Sequence, residues 1–506
     1  MLAHVLSASL HGIEAILVHV EVDVASGLPA FTTVGLPDSS VRESRDRVRA
    51  AIKNAGFDFP ADRITVNLAP ADIRKEGAAF DLPIALGILA ATGVTSDTPF
   101  TSFAAVGELA LDGAIRSVPG VLAVALTCRR ARVEALLVPY ANAGEAAAIQ
   151  GVKILAIASL REAVALLNGD HPPDPVPSTL RPGPAAFEDV DFADVRGQAH
   201  AKRALEIAAA GGHNVVLVGP PGGGKTMLAR RLPTILPPLE LEEAIEVSTI
   251  WSVAGLLPPG GGLLGKRPFR APHHSVSAAG LIGGGSHPRP GEVSLAHLGV
   301  LFLDEIPEFP QHVLESLREP LEDGRVGIAR VAGSATFPAR FQLVAAANSC
   351  RRGCRNLDSC LCTPAERDRY LGRLSRPLLD RIDLHVELPA VSFDELTQAP
   401  AGEPSAAIQA RVAAARERQR VRLARTGLWV NAQMTARHVR RFCEAPRDAR
   451  ELLALAMTRL NLSARGHDRI LKVARSIADL EGRETIALEH CAEAVQYRGL
   501  DRRLRP

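Results

Sequence analysis

Val215-Val-Leu-Val218 runs directly into Gly219-Pro-Pro-Gly-Gly-Gly-Lys225-Thr226, and a helix-forming stretch, Met227–Leu232, follows. No other feature restricts the chain so strongly. The apolar run reads as a buried strand, and a loop this rich in glycine lets successive backbone N–H groups turn inward around an anion. The order strand, loop, helix calls for a parallel sheet covered by helices. Within GxxxxGK[ST], Lys225 can reach the β- and γ-phosphates of a nucleoside triphosphate, and the Thr226 hydroxyl can ligate Mg²⁺. Gly219, Pro220, Pro221, Gly222, Gly223, Gly224 and Met227 complete the cradle. The competing reading, a glycine-rich turn with no ligand, does not require the full motif behind a strand.

A second apolar strand, Val300-Leu-Phe-Leu303, ends in Asp304-Glu305. Asp304 is suited to hold Mg²⁺ and Glu305 to orient the attacking water. Isolated, such a pair reads as solvated acids at a strand end. Behind the glycine loop, both acids fall where parallel strands present their C-terminal ends to a ligand crevice. A third strand, Phe341–Ala347, ends at Asn348, placed to contact the γ-phosphate or its water.

The 506 residues are enough for roughly three domains, and 47% hydrophobic with 23% charged residues is ordinary for a globular chain. Residues 1–167 alternate strand-like runs (Ala15–Val24, Arg63–Leu68, Ala135–Pro139) with helical ones (Arg42–Ala55, Leu82–Thr92), which reads as an α+β domain. Residues 168–187 are proline-dense and read as a linker. Residues 188–395 carry the strand–loop–helix units. Residues 396–506 read as helices: Ala406–Thr426, Thr435–Cys443, Arg447–Leu460, His467–Leu480 and Leu488–Tyr497. The net charge of +2 hides an uneven spread, because residues 401–506 hold 21 Lys/Arg against 12 Asp/Glu. That basic end fits a phosphate-rich partner or a solvated face.

Met1–Val18 lacks the basic start of a secretory signal, and the longest apolar run, near Leu82–Val94, is too short to span a bilayer. Four of the seven cysteines, Cys350, Cys354, Cys360 and Cys362, fall in one short segment. Such a cluster suits a tetrahedral Zn²⁺ in a reducing compartment better than a disulfide framework, and a cytoplasmic location is expected. Arg351, Arg352 and Arg355 flank the cluster and offset its negative charge. Reduced thiols are the alternative. Cys128, Cys443 and Cys491 read as core residues.

Two insertions are longer than a compact domain needs. Gly255–Gly299 is rich in Gly, Pro and His and contains Lys266, Arg267, Arg270, His273, His274 and Arg289. Gly324–Phe337 reads as a β-hairpin turning near Ala332–Ser334.

The arrangement resembles the AAA+ superfamily, and more closely its magnesium-chelatase-like branch. The resemblance is carried by Phe192–Gln198, Ala208–Asn214, Arg267–Ser275, Pro290–His297 and Leu378–His385, and it runs over nearly the whole chain. With the front domain included, the chain resembles the ComM-type proteins, also called YifB, hexameric helicases that promote DNA branch migration during natural transformation. The resemblance implies an α/β P-loop core with a C-terminal helical lid. It implies that Val195, Gly197 and Gln198 line the adenine pocket and that Asn348 is a first sensor. Arg381 would be the finger reaching into a neighbour's nucleotide, with Arg376 as rival, and Arg465 the second sensor. A finger acting in trans implies a homo-hexameric ring with no membrane association. The two insertions would face a central pore, where Lys266, Arg267, Arg270 and Arg330 are the candidates for holding single-stranded or branched DNA. Relatives open the cysteine cluster with C-P-C-G, from which Ser349-Cys-Arg-Arg-Gly-Cys354 departs.

Lys75–Leu86 and Gly107–Gly120 resemble segments of the Lon protease domain, of ribosomal-protein-S5-domain-2-like fold. There the nucleophilic serine position would be Ala79 and the lysine position Leu122. Neither side chain can perform acyl transfer, so the resemblance implies a catalytically inactive front domain. A remodeller of a protein partner, chelatase-like or chaperone-type, is the alternative function. A non-enzymatic nucleotide-binding scaffold fits poorly with an intact Lys225, Asp304 and Glu305.

Overall fold

The computed structural model describes residues 1–95, 102–170, 176, 190–258, 261–285, 288–330, 333–354, 360–390, 402–460 and 462–499. The expected linker, apart from 168–170 and 176, lies outside them. So do the 395/396 boundary, the hairpin turn at Ala332 and Arg355.

Two-residue alternation pairs the first strands. β1 (Leu2–His11) runs antiparallel to β2 (Glu14–Ala25), Leu6 opposite His19, with Gly12 turning the chain at φ +64°. Strand β1 went unread in the sequence. β3 (Ala30–Val34), β4 (Arg63–Ala69), β5 (Phe103–Ala105), β6 (Ala135–Pro139) and β7 (Lys153–Ile157) complete a mixed sheet of order β3-β4-β2-β1-β5-β6-β7. On one face α1 (Ser39–Asn54) and α2 (Asp81–Ala91) bury Val48, Ile52, Leu82 and Ile88 against Val5, Val20 and Val22. Asp38 caps α1 by accepting the Val41 N–H at 2.8 Å. Helix α2 is buried nearly all round, which is why it reads as a continuous apolar run and not as a stripe.

The second sheet is wholly parallel. Its strands are β8 (Val215–Gly219), β9 (Phe269–Arg270), β10 (Val300–Leu303), β13 (Gln342–Asn348) and β14 (Leu384–Glu387), in the order β9-β10-β13-β8-β14. A separate hairpin, β11 (Arg325–Arg330) with β12 (Gly333–Pro338), stands apart from it. All residues of β8 and β10 are buried, the signature of strands covered on both faces. Strand β8 lies between the fourth and fifth strands in chain order. The order reverses beside it and opens a crevice at the C-terminal strand ends.

Five helices follow: α8 (Ser405–Leu423), α9 (Ala436–Phe442), α10 (Arg447–Leu460), α11 (Ala464–Leu480) and α12 (Leu488–Gln496). They are not a separately cored unit. Ile408, Val412, Leu423, Ile470, Val473 and Ile477 share one apolar cluster with Leu205, Val215, Leu228 and Val344. Ser463 starts α11 by accepting the Gly466 N–H at 3.1 Å.

A buried polar junction fixes these helices to the sheet. The Asp383 carboxylate, just before β14, accepts from Arg469 Nη1 of α11 at 2.6 Å and lies 3.3 Å from His213 Nδ1; the His213 ring reaches Ser476 Oγ at 2.8 Å. Burial opposes ionisation of Asp383, but Arg469, His213 and Lys472 outweigh it and hold the carboxyl well below the usual range. Asp383→Ala leaves Arg469 without its buried partner and is expected to cost about 3–5 kcal/mol, read as a lower urea midpoint. Because the folded-state pKa is depressed, the wild-type contribution is complete above the unfolded value of about 4 and fades as pH falls below it. The variant lacks that acid dependence.

The front domain is docked on the parallel-sheet unit. Helix α3 (Val121–Arg130) lies on α7 (Leu241–Val253), where Leu122 and Val124 share a cluster with Leu239, Ala244, Val247 and Leu263. The Gly120 N–H donates to Ser252 O at 2.9 Å, and Ser252 Oγ donates to the buried Glu145 carboxylate. Burial pushes the Glu145 carboxyl upward against that bond and the one from Asn142. Leu122 is fully buried in this interface, and Ala79 is partly buried against the same cluster. The Gly12 turn abuts the β11–β12 hairpin: a Cβ on Gly12 would lie 3.3 Å from Ala335 Cβ.

Candidate functional site

The crevice is built by three strand ends in register. Gly219 at the end of β8 is level with Asn348 at the end of β13, and Leu303 of β10 with Ala345. The loop from Gly219 enters α6 (Lys225–Ile235). Gly222 and Gly224 hold φ of +77° and +82°, and a Cβ on Gly222 would meet nothing within 4 Å among the described residues, which leaves room for a ligand at this rim.

Lys225 is buried, with its ammonium held among acceptors: Gly219 O and Pro220 O at 2.9 Å each and Asn348 Oδ1 at 3.0 Å. These carbonyls stand where phosphate oxygens would compete for the same donor. Burial lowers the Lys225 pKa, partly offset by Asp304 and Glu305. The Thr226 hydroxyl donates to Asp304 Oδ2 at 2.7 Å. A hydroxyl and a carboxylate oxygen so close, beside a phosphate cradle, suit the hard, oxygen-seeking Mg²⁺. The residues present therefore fit both nucleotide and cation.

Glu305 has φ +50°, uncommon for a residue with a Cβ. The strain turns its carboxylate outward; the side chain is about half exposed, and Asp304 Oδ1 accepts the Glu305 N–H at 2.9 Å. His274 Nδ1 lies 3.9 Å from Glu305 Oε2, and its ring packs 4.0 Å from that of His273 and edge-on to Phe309. The sequence reading singled out the His-rich insertion but not this contact; no motif marks it, because the insertion must fold back over the crevice to make it.

The 195–198 loop reaches the same side. Val195 is buried, Gly197 and Gln198 both have positive φ, and Gln198 Nε2 donates to Pro389 O at 3.2 Å. Pro389 O also faces Gly223, 3.7 Å from where its Cβ would be. Met227 Cε closes on Gly224.

Three arginines are candidates for trans-acting or sensing roles. Arg381 precedes β14, level with Asn214, whose Nδ2 donates to Arg381 O at 2.9 Å. The five residues of β8 then separate it from Gly219 by roughly 16 Å at about 3.3 Å per residue. Its guanidinium is buried, donating to Pro377 O and Glu322, with Nε lacking a partner among the described residues. Arg381 therefore cannot serve the crevice of its own chain. Arg376 opens a short helix, Arg376–Leu379. Arg465 stands exposed in the first turn of α11.

The DNA candidates divide. Arg267 is buried, bound to Glu243 at 2.8 Å and to Pro237 O and Leu298 O. Arg270 forms a two-bond pair with Glu292 at 2.6 and 2.7 Å and lies over Trp251. Both guanidiniums hold the fold together, and a phosphate would have to displace those pairs to reach them. Lys266 and Arg330 are exposed.

The four cysteines converge, their sulfurs all within 4.8 Å of one another. The Cys354 N–H donates to Cys350 Sγ at 3.3 Å, and Cys360 Sγ is 3.7 Å from Cys350 Sγ. Burial opposes ionisation of Cys350, but the Cys354 amide and the neighbouring thiols bring it down to about 7. A tetrahedral zinc with Zn–S of about 2.3 Å requires sulfurs about 3.8 Å apart, so the cluster fits such an ion closely. Cys128, Cys443 and Cys491 are buried.

Three family descriptions match the chain: "Magnesium chelatase, subunit ChlI" over residues 191–396, "Subunit ChlI of Mg-chelatase" over 20–142, and "Magnesium chelatase, subunit ChlI C-terminal" over 402–498. The uncharacterized protein YifB of Salmonella typhimurium is 45% identical over 498 residues, 97% of this chain and 96% of the relative. Competence protein ComM of Haemophilus influenzae is 44% identical over 512 residues, 99% of this chain and 98% of the relative. No described helix is long and apolar enough to cross a membrane.

Proposed function

The chain belongs to the ComM/YifB-type magnesium-chelatase-like proteins of AAA+ type, and from that premise we propose that it is an ATP-driven DNA motor. The motor works as a homo-hexameric ring and moves DNA branches during recombination in natural transformation. The observation that carries the ATPase half is the convergence of Lys225, Thr226, Asp304 and Asn348 on one crevice. Likeness along nearly the whole length to a relative named for competence supports the DNA half.

The residues act as follows. Backbone N–H groups of Gly222–Thr226 and the Lys225 ammonium hold the β- and γ-phosphates, Lys225 exchanging its loop carbonyls for phosphate oxygens. Thr226 and Asp304 would hold a Mg²⁺, which would supply positive charge against that developing on the transferred phosphoryl group. Glu305, turned outward by its positive φ, holds the water in line and takes its proton. Asn348 orients that water from the next strand. Val195, Gly197 and Gln198 flank the base. Arg465, exposed in the first turn of α11, is the second sensor of the γ-phosphate. In the cysteine cluster, Zn²⁺ would be structural. The front domain braces the ring and performs no peptide hydrolysis.

Lys266 and Arg330 are the phosphate contacts in the pore. Forked DNA is expected to stimulate ATP hydrolysis by the wild type. The Lys266→Ala/Arg330→Ala protein should show a shallower salt dependence of DNA binding, its log–log slope reduced by roughly 1.4 for two lost single-strand contacts. Hydrolysis indifferent to DNA at every salt concentration sinks the motor reading and turns attention to a protein substrate. An unchanged slope removes these two residues from the interface.

A further inference from the structure

The cysteine cluster does not stand apart from the nucleotide crevice. Asn348, which accepts from Lys225, is two residues ahead of Cys350. Between them the Ser349 N–H donates to Gly219 O at 3.2 Å, the same carbonyl that Lys225 uses. Beyond Cys350 the chain turns at Gly353 (φ +63°), whose Cα is so close to the phosphate loop that a Cβ there would lie 3.0 Å from Pro221 Cγ. The turn is closed by the Gly353 N–H to Cys350 O at 3.1 Å and the Cys354 N–H to Cys350 Sγ. The first two cysteines thus bracket the turn that touches Pro221, and the last, Cys362, immediately precedes the Thr363 cap of helix Pro364–Leu371.

We propose that metal in the four-cysteine cluster is a clamp on the phosphate loop, so that occupancy by a soft divalent ion sets nucleotide affinity. The inference rests on the zinc reading of the cluster. With the ion bound, four thiolates fix the Cys350–Cys354 turn, which holds Pro221 from the outside while Ser349 and Asn348 hold Gly219 and Lys225 from the inside. Without it, four sulfurs crowded within 4.8 Å have no common ligand. The turn is then free to relax, and the cradle loses one wall. The metal acts on binding, through loop position, and takes no part in the hydrolytic step.

The full-length protein tests this with two readouts: zinc per chain by atomic emission, and the Kd of a fluorescent ATP analogue. About one zinc per chain is expected. Stripping it should weaken nucleotide binding on the order of tenfold, the change that about 1.4 kcal/mol produces, and added Zn²⁺ should restore it. Gly353→Ala keeps all four thiols but drives a methyl group into Pro221. It should retain zinc and still lose affinity by a similar factor, whereas Cys360→Ser should lose both. Equal affinity with and without zinc, or a zinc-loaded Gly353→Ala protein that binds as tightly as the wild type, overturns the clamp and leaves the zinc site standing. A chain that takes up no zinc overturns both.

Discussion

Arg381→Ala is expected to reduce ATP turnover by roughly 10³-fold or more, the scale on which an arginine finger acts, while leaving nucleotide binding by the single chain nearly unchanged. The reason lies in where the residue sits. It is at the opposite end of β8 from the phosphate loop, and its guanidinium is tied to Pro377 O and Glu322. Catalysis by Arg381 therefore needs a second chain whose crevice faces it, and ring closure must exchange Glu322 for a phosphoryl group. Mixing supplies the decisive measurement. Arg381→Ala and Lys225→Ala proteins are each expected to be inactive alone. In a mixed ring, an intact crevice on one subunit can meet an intact Arg381 on the next, so the mixture should recover part of the wild-type rate. A mixture as inactive as its components, with rings seen by mass measurement, rejects the trans assignment; Arg376 is then next to test.

Glu305→Gln should lower turnover by roughly 10²–10⁴-fold, the range in which a positioned general base contributes, without weakening ATP binding. Gln keeps the size and one acceptor of Glu305 but cannot take a proton. The left-handed backbone at Glu305 is set by the strand end and the Asp304 contact, so the variant should keep the fold. Single-turnover hydrolysis separates the steps: product formation should fail although bound ATP is retained. Loss of ATP binding in the same variant would instead make Glu305 a positioning residue for the loop. His274→Ala is informative beside it, since that ring brings Nδ1 to 3.9 Å from the carboxylate.

The legible parts of the chain are those whose physics is local. The P-loop strand and helix, the acids after β10 and the boundaries of α10 follow from apolar runs, glycine placement and helical periodicity. The cysteine cluster was legible because its ligands fall in one short segment. Strand β1 escaped because its Ser7 and Ser9 interrupt the apolar face, and only pairing with β2 buries them. Arg267 and Arg270 looked like free cations in an irregular insertion. Their partners, Glu243 and Glu292, are 24 and 22 residues away in sequence, and nothing local announces the pairing. The depth of the joint between the C-terminal helices and the sheet was not legible either, since α8 and α11 turn their apolar stripes onto α5 (Ala199–Gly211) and the sheet.

By itself, the sequence determined that this chain holds a phosphate cradle on a parallel sheet, which acids follow it, and where four thiols cluster. Those features depend on spacing within one segment, and spacing is written in the chain. Only the tertiary structure decided that Gly353 bears on Pro221, that His274 comes to Glu305, that Arg381 is out of reach of its own crevice, and that Leu122 seals the joint to α7. Each of those depends on the direction in which a strand or helix is laid against another, and that direction is settled by burial summed over the whole core.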